Sequence, residues 1–539
     1  MNLKKYIRLN FFFLIYKYIY RLSMSEIPST ELPTRMQYRF REFNKILKQT
    51  VYLIPNNGQS DVFAGDTIIV ELPHNSVIDL TTFIMEYTGE TNHMGKTNAG
   101  SGVGIDGILR TRFFPRNSAS IIEQLDVEIN GQTRFTLNNY GLVYNTLFDL
   151  TAAQDSLNRR KVGENADPSS KIFKDANGDL QERRGYSVGF LADGTAQDKE
   201  NYVIRSWLGL LNPSTTILDT TILGSVVIKI RLAPASCLMA GAVADGRIAA
   251  VNAGNSENGR EILQGDAAGN AIGAAAENYV LSNVKFTVVR YDLPSEFYMS
   301  QAAKLGSGGT YKLWFPNYSV QSCASVAAGN KTGVNRTSIS CRSLDWVMGT
   351  FRLPGYTTVS TPLNAMPPSP ATTGQLGLTS RTWESQVRAG LRRLFNNSRY
   401  FARNGSSIKS CSWKVGMSEY PARTVQQQFD GLLQHFNIQN DQGSGGMYPG
   451  IQSLHHFQET FYTDILSLST NQSESDYVIS GLNTQETPLQ ITWNVTAEAL
   501  VNAIDVLIPN TATQCTPYLI CGYTSCLEIA GGRQITLIN

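Results

Sequence analysis

Short runs of alternating apolar and polar residues follow one another along this chain, separated by turn-forming residues, as is typical of β-sandwich strands. Asn130 and Gly131 end one such run and predict a tight hairpin turn, because both residue types tolerate positive φ. In the first half, strands are predicted at Val51–Ile54, Asp61–Leu72, Val77–Tyr87, Ser120–Ile129, Gly224–Leu232 and Val280–Tyr291. These strands are expected to form one β-sandwich.

A second series of strands follows in the other half of the chain. Helical spacing interrupts the strands at Asn139–Leu150, with Asn138 or Asn139 as the cap, and again at Val425–Phe436. No residue-level repeat of fixed period is present, so the recurring order of strands, helix and strands predicts two diverged copies of one β architecture. The strands of this half are predicted at Ser338–Leu353, Arg399–Val415, Tyr477–Leu482, Leu489–Val495, Ala503–Ile508, Tyr518–Tyr523 and Ile535–Ile538.

Length and composition support two β domains. A chain of 539 residues is too long for one hydrophobic core, and 42% hydrophobic with 17% charged residues indicates a globular protein. Polar loops are expected at Thr91–Gly107, Lys161–Glu200 and Ala240–Glu277. The predicted division is an arm over residues 1–48, a first sandwich with long loops over 49–294, a connection over 295–332 containing a strand at Tyr311–Val320, and a second sandwich over 333–539.

Positive charge is concentrated at the beginning of the chain. Residues 1–48 contain ten Lys or Arg against three Glu, a net charge of +7, whereas the remainder contains 36 basic against 41 acidic residues, a net charge of −5. The body therefore offers no general electrostatic platform for nucleic acid. Any contact with a genome or with an internal membrane is expected to be made by residues 1–48.

The arm also contains a strongly apolar and aromatic run, Leu9–Leu22. Lys17 interrupts it, and it is shorter than the roughly 20 residues of a membrane-spanning helix. The residues that follow do not resemble a signal-peptide cleavage site. Three interpretations stay open: an interfacial helix that touches an internal membrane, an arm that packs against a neighbouring subunit, or residues upstream of a true start at Met24.

Motifs that could carry chemistry are weak. The glycine pattern Gly102–Gly107 matches a dinucleotide-binding fingerprint, but no helix opens after it, and Gly306–Gly309 lacks the lysine of a phosphate-binding loop. His455 and His456 are adjacent, so in a strand they would point to opposite faces and could not serve one metal ion. We therefore predict no catalytic, cofactor-binding or metal-binding residues, no cofactor, no small-molecule substrate and no enzyme activity.

Seven cysteines are present, an odd number without regular spacing. Free thiols are expected from this pattern rather than disulfides, and zinc is disfavoured because no histidine lies near the clustered C-terminal cysteines. The cysteines are Cys237, Cys323, Cys341, Cys411, Cys515, Cys521 and Cys526.

The segment Phe114–Gly131 is followed closely by Asn139, Tyr140, Tyr144 and Asn145. In this combination the chain resembles the major capsid proteins of polinton-like viruses and virophages. The extension before Met24 departs from that family's pattern. Further similar segments are Trp207–Asn212, Ile228–Pro234, Gly416–Arg423 and Gly532–Arg533 before the final strand.

The resemblance implies an all-β chain with short helices, built of two consecutive eight-stranded jelly-roll sandwiches. It further implies a virion protein, assembled inside the host cell, that trimerises into pseudo-hexagonal capsomers and tiles an icosahedral shell with minor capsid or penton proteins as further partners. Three alternatives stay open. A minor capsid or spike protein would have one jelly roll plus a distinct domain, a carbohydrate-binding module would be a monomer with a ligand groove, and a glycan hydrolase would need two carboxylates in one cleft.

Overall fold

The computed structural model describes a defined part of the chain. The arm up to residue 46, the predicted strand Ala503–Ile508 and most of the predicted strand Tyr477–Leu482 lie outside the described residues. Those residues are 47–56, 61–91, 112–115, 117–151, 171–174, 180–183, 200–215, 217–240, 279–293, 295–324, 332–352, 400–401, 403, 405, 408–436, 454, 457–458, 461–469, 481–485, 489–497, 516–531 and 534–539.

Strands dominate the first half, as the alternating pattern predicts. In chain order they are β1 Leu47–Leu53, β2 Asp61–Phe63, β3 Thr67–Glu71, β4 Val77–Thr91, β5 Arg112–Phe113, β6 Ile122–Ile129, β7 Gln132–Asn138, β8 Lys171–Lys174, β9 Leu180–Arg183, β10 Glu200–Ile204, β11 Ile217–Asp219, β12 Val226–Leu232, β13 Met239–Ala240 and β14 Tyr279–Asp292.

Two antiparallel sheets of these strands form the first sandwich. One has the order β1-β14-β4-β10, with β2 on β14 and β11 on β4, and the other has the order β3-β12-β6-β7. If the eight main strands are numbered along the chain, the sheets run 1-8-3-6 and 2-7-4-5, which is the order of a jelly roll. Two small ladders, β5 with β13 and β8 with β9, lie outside these sheets.

The second half repeats this order. Its sheets are β15-β23-β17-β21, with β24 on β23, and β16-β22-β18-β19, with β20 on β18, so the main strands again run 1-8-3-6 and 2-7-4-5. The prediction of two consecutive jelly-roll sandwiches is thereby confirmed. The strands are β15 Tyr311–Ser322, β16 Thr332–Ser338, β17 Leu344–Arg352, β18 Ile408–Val415, β19 Ser418–Glu419, β20 Arg423–Thr424, β21 Asp464–Ser467, β22 Gln490–Ala497, β23 Thr516–Ala530 and β24 Gln534–Ile538.

Helices are short and occupy matching positions in the two halves. The α-helices with defined bounds are α1 Tyr140–Thr151, α2 Thr220–Leu223, α3 Ser295–Gly306 and α4 Val425–His435, and Leu454, Phe457 and Gln458 are also helical. Both α1 and α4 follow the fifth strand of their sandwich, where helical spacing predicts them. Thr424 and Gln427 cap α4 reciprocally, each side chain bonding the other's backbone N–H. The element order is thus conserved between the halves down to this helix.

Several predicted boundaries differ from those observed. The predicted polar loop Lys161–Glu200 contains the hairpin of β8 and β9, and Glu200 already begins β10. The single strand predicted over Ser338–Leu353 is in fact divided, since β16 ends at its first residue and β17 starts at Leu344, and the strand predicted at Arg399–Val415 begins only at Ile408. The predicted connection over 295–332 contains β15, which pairs along its whole length with β23 and so belongs to the second sandwich.

Each sandwich has its own aromatic core. In the first, the rings of Tyr87, Phe114, Tyr202 and Tyr279 cluster between the sheets. In the second, a corresponding cluster consists of Phe351, Trp413, Tyr462 and Trp493. Gly349 makes room for it, because a Cβ there would lie 2.6 Å from the Trp493 ring. The buried side chains of the two sandwiches are continuous through the junction between them, so the two aromatic clusters are parts of one connected set of buried residues.

Candidate functional site

The two sandwiches meet at a junction between sheet edges. β15, the first strand of the second sandwich, lies against β7, the fifth strand of the first, and against the turn Gly209–Leu211. Phe135 of β7 and Phe315 of β15 pack edge to face across it, with ring centroids 6.1 Å apart. Gly209 has φ +70°, and a Cβ there would lie 2.0 Å from the Phe135 ring. A glycine is therefore required where the turn passes this ring.

Arg352 binds the first sandwich from the end of β17. Its side chain is almost fully buried, and its Nη1 donates to Oδ1 of Asn139, 3.3 Å away, at the start of α1. Its Nη2 donates to the carbonyl oxygen of Tyr400 at 2.8 Å, and the guanidinium lies over the Tyr400 and Tyr518 rings. A planar cation with several donors suits such a site, because it can bond in its plane and stack on its face. The junction thus has a polar contact as well as apolar ones.

Tyr400 and Phe401 extend the junction further onto the first sandwich. The Tyr400 hydroxyl donates to Oε2 of Glu123 on β6, and burial together with this carboxylate raises the Tyr400 pKa well above its usual range. The Phe401 ring covers Gly141 of α1, where a Cβ would lie 3.0 Å from the ring edge. Buried polar and apolar contacts from separate segments therefore converge at this junction.

The second sandwich contains a buried carboxylate, Asp464, at the start of β21. Its Oδ2 accepts hydrogen bonds from the indole Nε1 of Trp413 at 2.8 Å and of Trp493 at 3.0 Å. Its Oδ1 accepts one from Nη2 of Arg423 at 2.6 Å, and the same guanidinium nitrogen bonds the carbonyl of Ile465. Burial raises the pKa of Asp464 from 3.8 to about 6, while the Arg423 charge and the indole donors lower it in part. Asp464 lies on β21 of one sheet, and its hydrogen bonds connect it to β18 and β22 of the other sheet and to β20, the strand before α4.

The exposed surface of the described residues carries a small set of large apolar side chains. In β1, Val51 and Leu53 pack on the core while Tyr52 and the following Ile54 are 69% and 76% exposed, as alternation in a strand requires. Met417, in the turn between β18 and β19, is 100% exposed. The whole set is Leu47, Tyr52, Ile54, Phe63, Met299, Trp314, Val334, Met417 and Tyr420.

Residues that could carry catalysis do not converge anywhere in the part of the chain that the structure describes. Of its buried acids, Asp464 is engaged by three donors, and Asp219 caps α2 through the backbone N–H of Thr221. Within the same residues no group of three or more His, Cys, Asp or Glu could hold a metal ion, and no helix is long and apolar enough to cross a membrane. Raised pKa values at buried Cys411 and Tyr462 follow first from desolvation, which disfavours ionisation.

The motifs singled out in the sequence have simple outcomes. Gly306–Gly309 forms the turn that ends α3, with Gly308 at φ +85°. Six cysteines are described, all as free thiols: Cys237, Cys323, Cys341, Cys411, Cys521 and Cys526. The pattern Gly102–Gly107, the pair His455–His456 and Cys515 lie outside the described residues. Among the described residues, the glycine motif is therefore a turn and the cysteines are free thiols, and neither forms a binding or catalytic site.

Comparison with known proteins gives matches to solved structures alone. No protein-family model matches the chain, and no curated protein sequence does. Among solved structures, the chain is similar to the capsid of the virus PBCV-1, with 13% identity over 92% of this chain and 97% of the other and a TM-score of 0.48. It is also similar to the Faustovirus major capsid protein, with 9% identity over 89% of this chain and 90% of the other, and a TM-score of 0.48. The mavirus major capsid protein is similar with 10% identity over 91% of this chain and 89% of the other, and a TM-score of 0.44. At such values the assignment of the fold rests on the strand order of this chain itself.

Proposed function

We propose that this chain is a virus major capsid protein that trimerises into pseudo-hexagonal capsomers and tiles an icosahedral shell. The observation that carries the proposal is the exact recurrence of one jelly-roll strand order in two sandwiches joined by a buried junction. Two similar bodies fixed side by side give each chain two of the six corners of a hexagonal outline. Three chains would complete it, and closed rotational symmetry is the common form of homo-oligomers.

The mechanism in this role is assembly rather than turnover. The described residues provide two packed sandwiches, a buried junction between them and exposed apolar side chains, which are features that suit a shell subunit. Further copies of the chain would be its main partners, with minor capsid or penton proteins at other positions of the virion. Contact with an internal membrane or with the genome would be made by residues 1–48, where the positive charge is concentrated.

The test is the mass and shape of the purified full-length protein, measured by size-exclusion chromatography with light scattering and then by negative-stain microscopy. A stable species of three times the 59.4 kDa chain, with a hexagonal outline, or closed shells are expected. A monomer that binds immobilised oligosaccharides would favour the carbohydrate-binding alternative instead. Turnover of an oligosaccharide would contradict the assignment as a non-enzyme.

Residues 1–23 have a separate test. A protein that starts at Met24 should assemble poorly, or should lose association with vesicles that contain anionic lipid, if the preceding segment acts as a packing arm or an interfacial helix. Particles and vesicle binding identical to those of the full chain would show that neither interpretation holds.

A further inference from the structure

Helix α4 lies against β21, the last strand of its sheet in the described residues, and polar contacts hold the helix at both ends of that strand. In the start contact, Nη2 of Arg423 donates to Oδ1 of Asp464 and to the carbonyl oxygen of Ile465, both at 2.6 Å. In the end contact, Nδ1 of His435 lies 3.0 Å from Oγ of Ser467. Asp464 is the first residue of β21 and Ser467 is the last, so the helix is held along the whole strand.

The start contact belongs to a wider network of buried hydrogen bonds. The carbonyl oxygen of Arg423 accepts from Nε2 of Gln428, one turn into α4, at 2.9 Å, and Oε1 of Gln428 accepts from the hydroxyl of Tyr462 at 2.8 Å. Gln428, Tyr462 and Asp464 are all fully buried. The reciprocal cap at Thr424 adds two more bonds. Because these bonds share their partners, the start of the helix can move only if several of them break together.

The end contact is simpler and lies closer to solvent. His435 is half-buried, and its ring packs edge to face against the Trp346 ring of β17, at 6.5 Å between centroids, and against the Phe436 ring, at 4.8 Å. A backbone hydrogen bond from the N–H of Phe436 to the carbonyl oxygen of Leu432, at 3.1 Å, closes the last turn. Aromatic rings on two sides keep water from the imidazole, and a charged imidazolium is therefore disfavoured there.

Protonation acts in opposite directions at the two contacts. Burial raises the pKa of Asp464 from 3.8 to about 6, whereas burial lowers the pKa of His435 below its usual 6.5. Protonated Asp464 is thus favoured while the start contact is closed, and charged His435 is favoured once the end contact has opened to water. A positive charge at a helix C-terminus is otherwise favourable, so burial outweighs the helix dipole at His435.

Ionisable groups on the other packed elements are bound elsewhere or stay uncharged. The carboxylate of Asp345, on β17, accepts hydrogen bonds from two neighbouring hydroxyls, and burial raises its pKa. On α4 itself, Oδ1 of Asp430 accepts from Nε2 of Gln426 at 3.0 Å. Burial also raises the pKa values of Cys411 and Tyr462, which lie beside the start contact, so both stay neutral.

We propose that α4 is an acid-responsive flap, whose end at His435 and Phe436 releases from β21 on acidification while its start stays held by the start contact. The inference goes beyond the proposed function and does not depend on it, because both contacts lie within one chain. Release uncovers the end of β21, which pairs within the described residues with β17 alone. An uncovered strand edge can accept another strand, so the flap is a switch that weak acid operates on a sheet edge.

The test is hydrogen–deuterium exchange with mass spectrometry on the full-length protein at about pH 7.5 and about pH 5, with the intrinsic exchange rate at each pH divided out. The protection factor over residues 432–436 should fall on acidification, by at most about 30-fold, the limit set by a pKa of 6.5 for the released imidazole. Over residues 424–428 it should stay the same or rise, by at most about 10-fold, because Asp464 takes up its proton only while buried. Different responses at the two ends of one helix are the signature of the flap.

Two variants identify the group that operates the flap. His435→Gln removes the titrating ring but keeps a hydrogen-bonding side chain, so the loss of protection over residues 432–436 should disappear while the response over residues 424–428 remains. The control is His74→Gln, an exposed histidine beside Glu71 in the first sandwich, which should retain both responses. If His435→Gln lowers the thermal midpoint, His435→Phe keeps an aromatic ring against Trp346 and takes its place in the comparison.

Three results would overturn the proposal. Protection over residues 432–436 that is unchanged or higher at about pH 5 would show that the end of α4 does not release. A loss that persists without His435, or that His74→Gln abolishes as well, would show that His435 does not operate the flap. An equal loss of protection at both ends would show that acid loosens the whole helix, which leaves no held start about which a flap could open.

Discussion

Asp464 makes the stability of the second sandwich depend on pH in a direction that the structure fixes. Its pKa in the folded protein is about 6, above the usual 3.8, so the folded protein binds the proton more tightly than the unfolded chain does. The stabilisation from this proton is therefore fully present below about pH 4 and is lost as the pH rises through 6. The rise of the pKa from 3.8 to about 6 corresponds to about 3 kcal/mol of unfolding free energy.

The perturbation that isolates this effect is Asp464→Asn, which removes the titrating group but keeps its size. Other groups also titrate between pH 4 and 7, so the quantity to compare is the difference in unfolding free energy between the unmodified protein and the variant. That difference should fall by about 2 kcal/mol in favour of the variant from pH 4 to pH 7, because part of the full effect is already lost at pH 4, just above the unfolded pKa. The ion pair with Arg423 forms only while Asp464 is ionised, and its effect is already contained in the pKa of about 6, so it adds no separate contribution to the pH dependence.

Denaturant unfolding followed by tryptophan fluorescence is a suitable assay, because Trp413 and Trp493 both donate to Asp464 and report on its surroundings. The control is Glu419→Gln on β19, an exposed carboxylate of the same sandwich. Its difference from the unmodified protein should change little over the same pH range. If the Asp464→Asn difference is also independent of pH between 4 and 7, the argument from burial is refuted.

Three further expectations concern the junction and the thiols. Gly209→Ala should lower the unfolding free energy by about 2–4 kcal/mol, since the added Cβ meets the Phe135 ring at a position of positive φ, and equal denaturation midpoints would contradict this. Arg352→Met should split the calorimetric unfolding of the two sandwiches into separate transitions, because the hydrogen bond from Arg352 to Asn139 across the junction is lost, and one unshifted transition would count against it. Among the described cysteines, Cys323 is half-buried and should react with a thiol reagent before fully buried Cys237, as mass spectrometry of labelled peptides can determine.

Local patterns predicted those parts of the fold that local forces determine. The turn at Asn130 and Gly131 forms with φ of +52° and +73°, as its residue types require. The start of α4 at Val425 follows from spacing, because its apolar residues recur on one face. Strands rich in β-branched residues, such as β12 and β14, also lie where alternation places them.

Elements that depend on distant partners were not predictable in this way. The break between β16 and β17 coincides with Cys341, whose backbone N–H donates to the hydroxyl of Thr484, 143 positions away in the sequence. β21 has four residues and owes its place to pairing with Met348–Gly349 and neighbouring residues of β17. In the sequence, Asp464 looks like an ordinary polar residue before an apolar run. Its hydrogen-bond donors come from β18, β20 and β22, which are distant in the sequence, so its burial could not be predicted from its neighbours. No residue spacing encodes these encounters.

Fusion of the two sandwiches in one chain has a consequence for assembly. A ring of six separate sandwiches needs six intermolecular contacts, whereas three chains that each contain one junction need only three. The junction through Arg352, Phe135 and Phe315 forms during folding, without the translational and rotational entropy that each association costs. Because its two sides are covalently linked, their effective concentration is far above that of free subunits. In the proposed capsomer, three contacts between chains would then suffice at a lower concentration than six separate sandwiches would need.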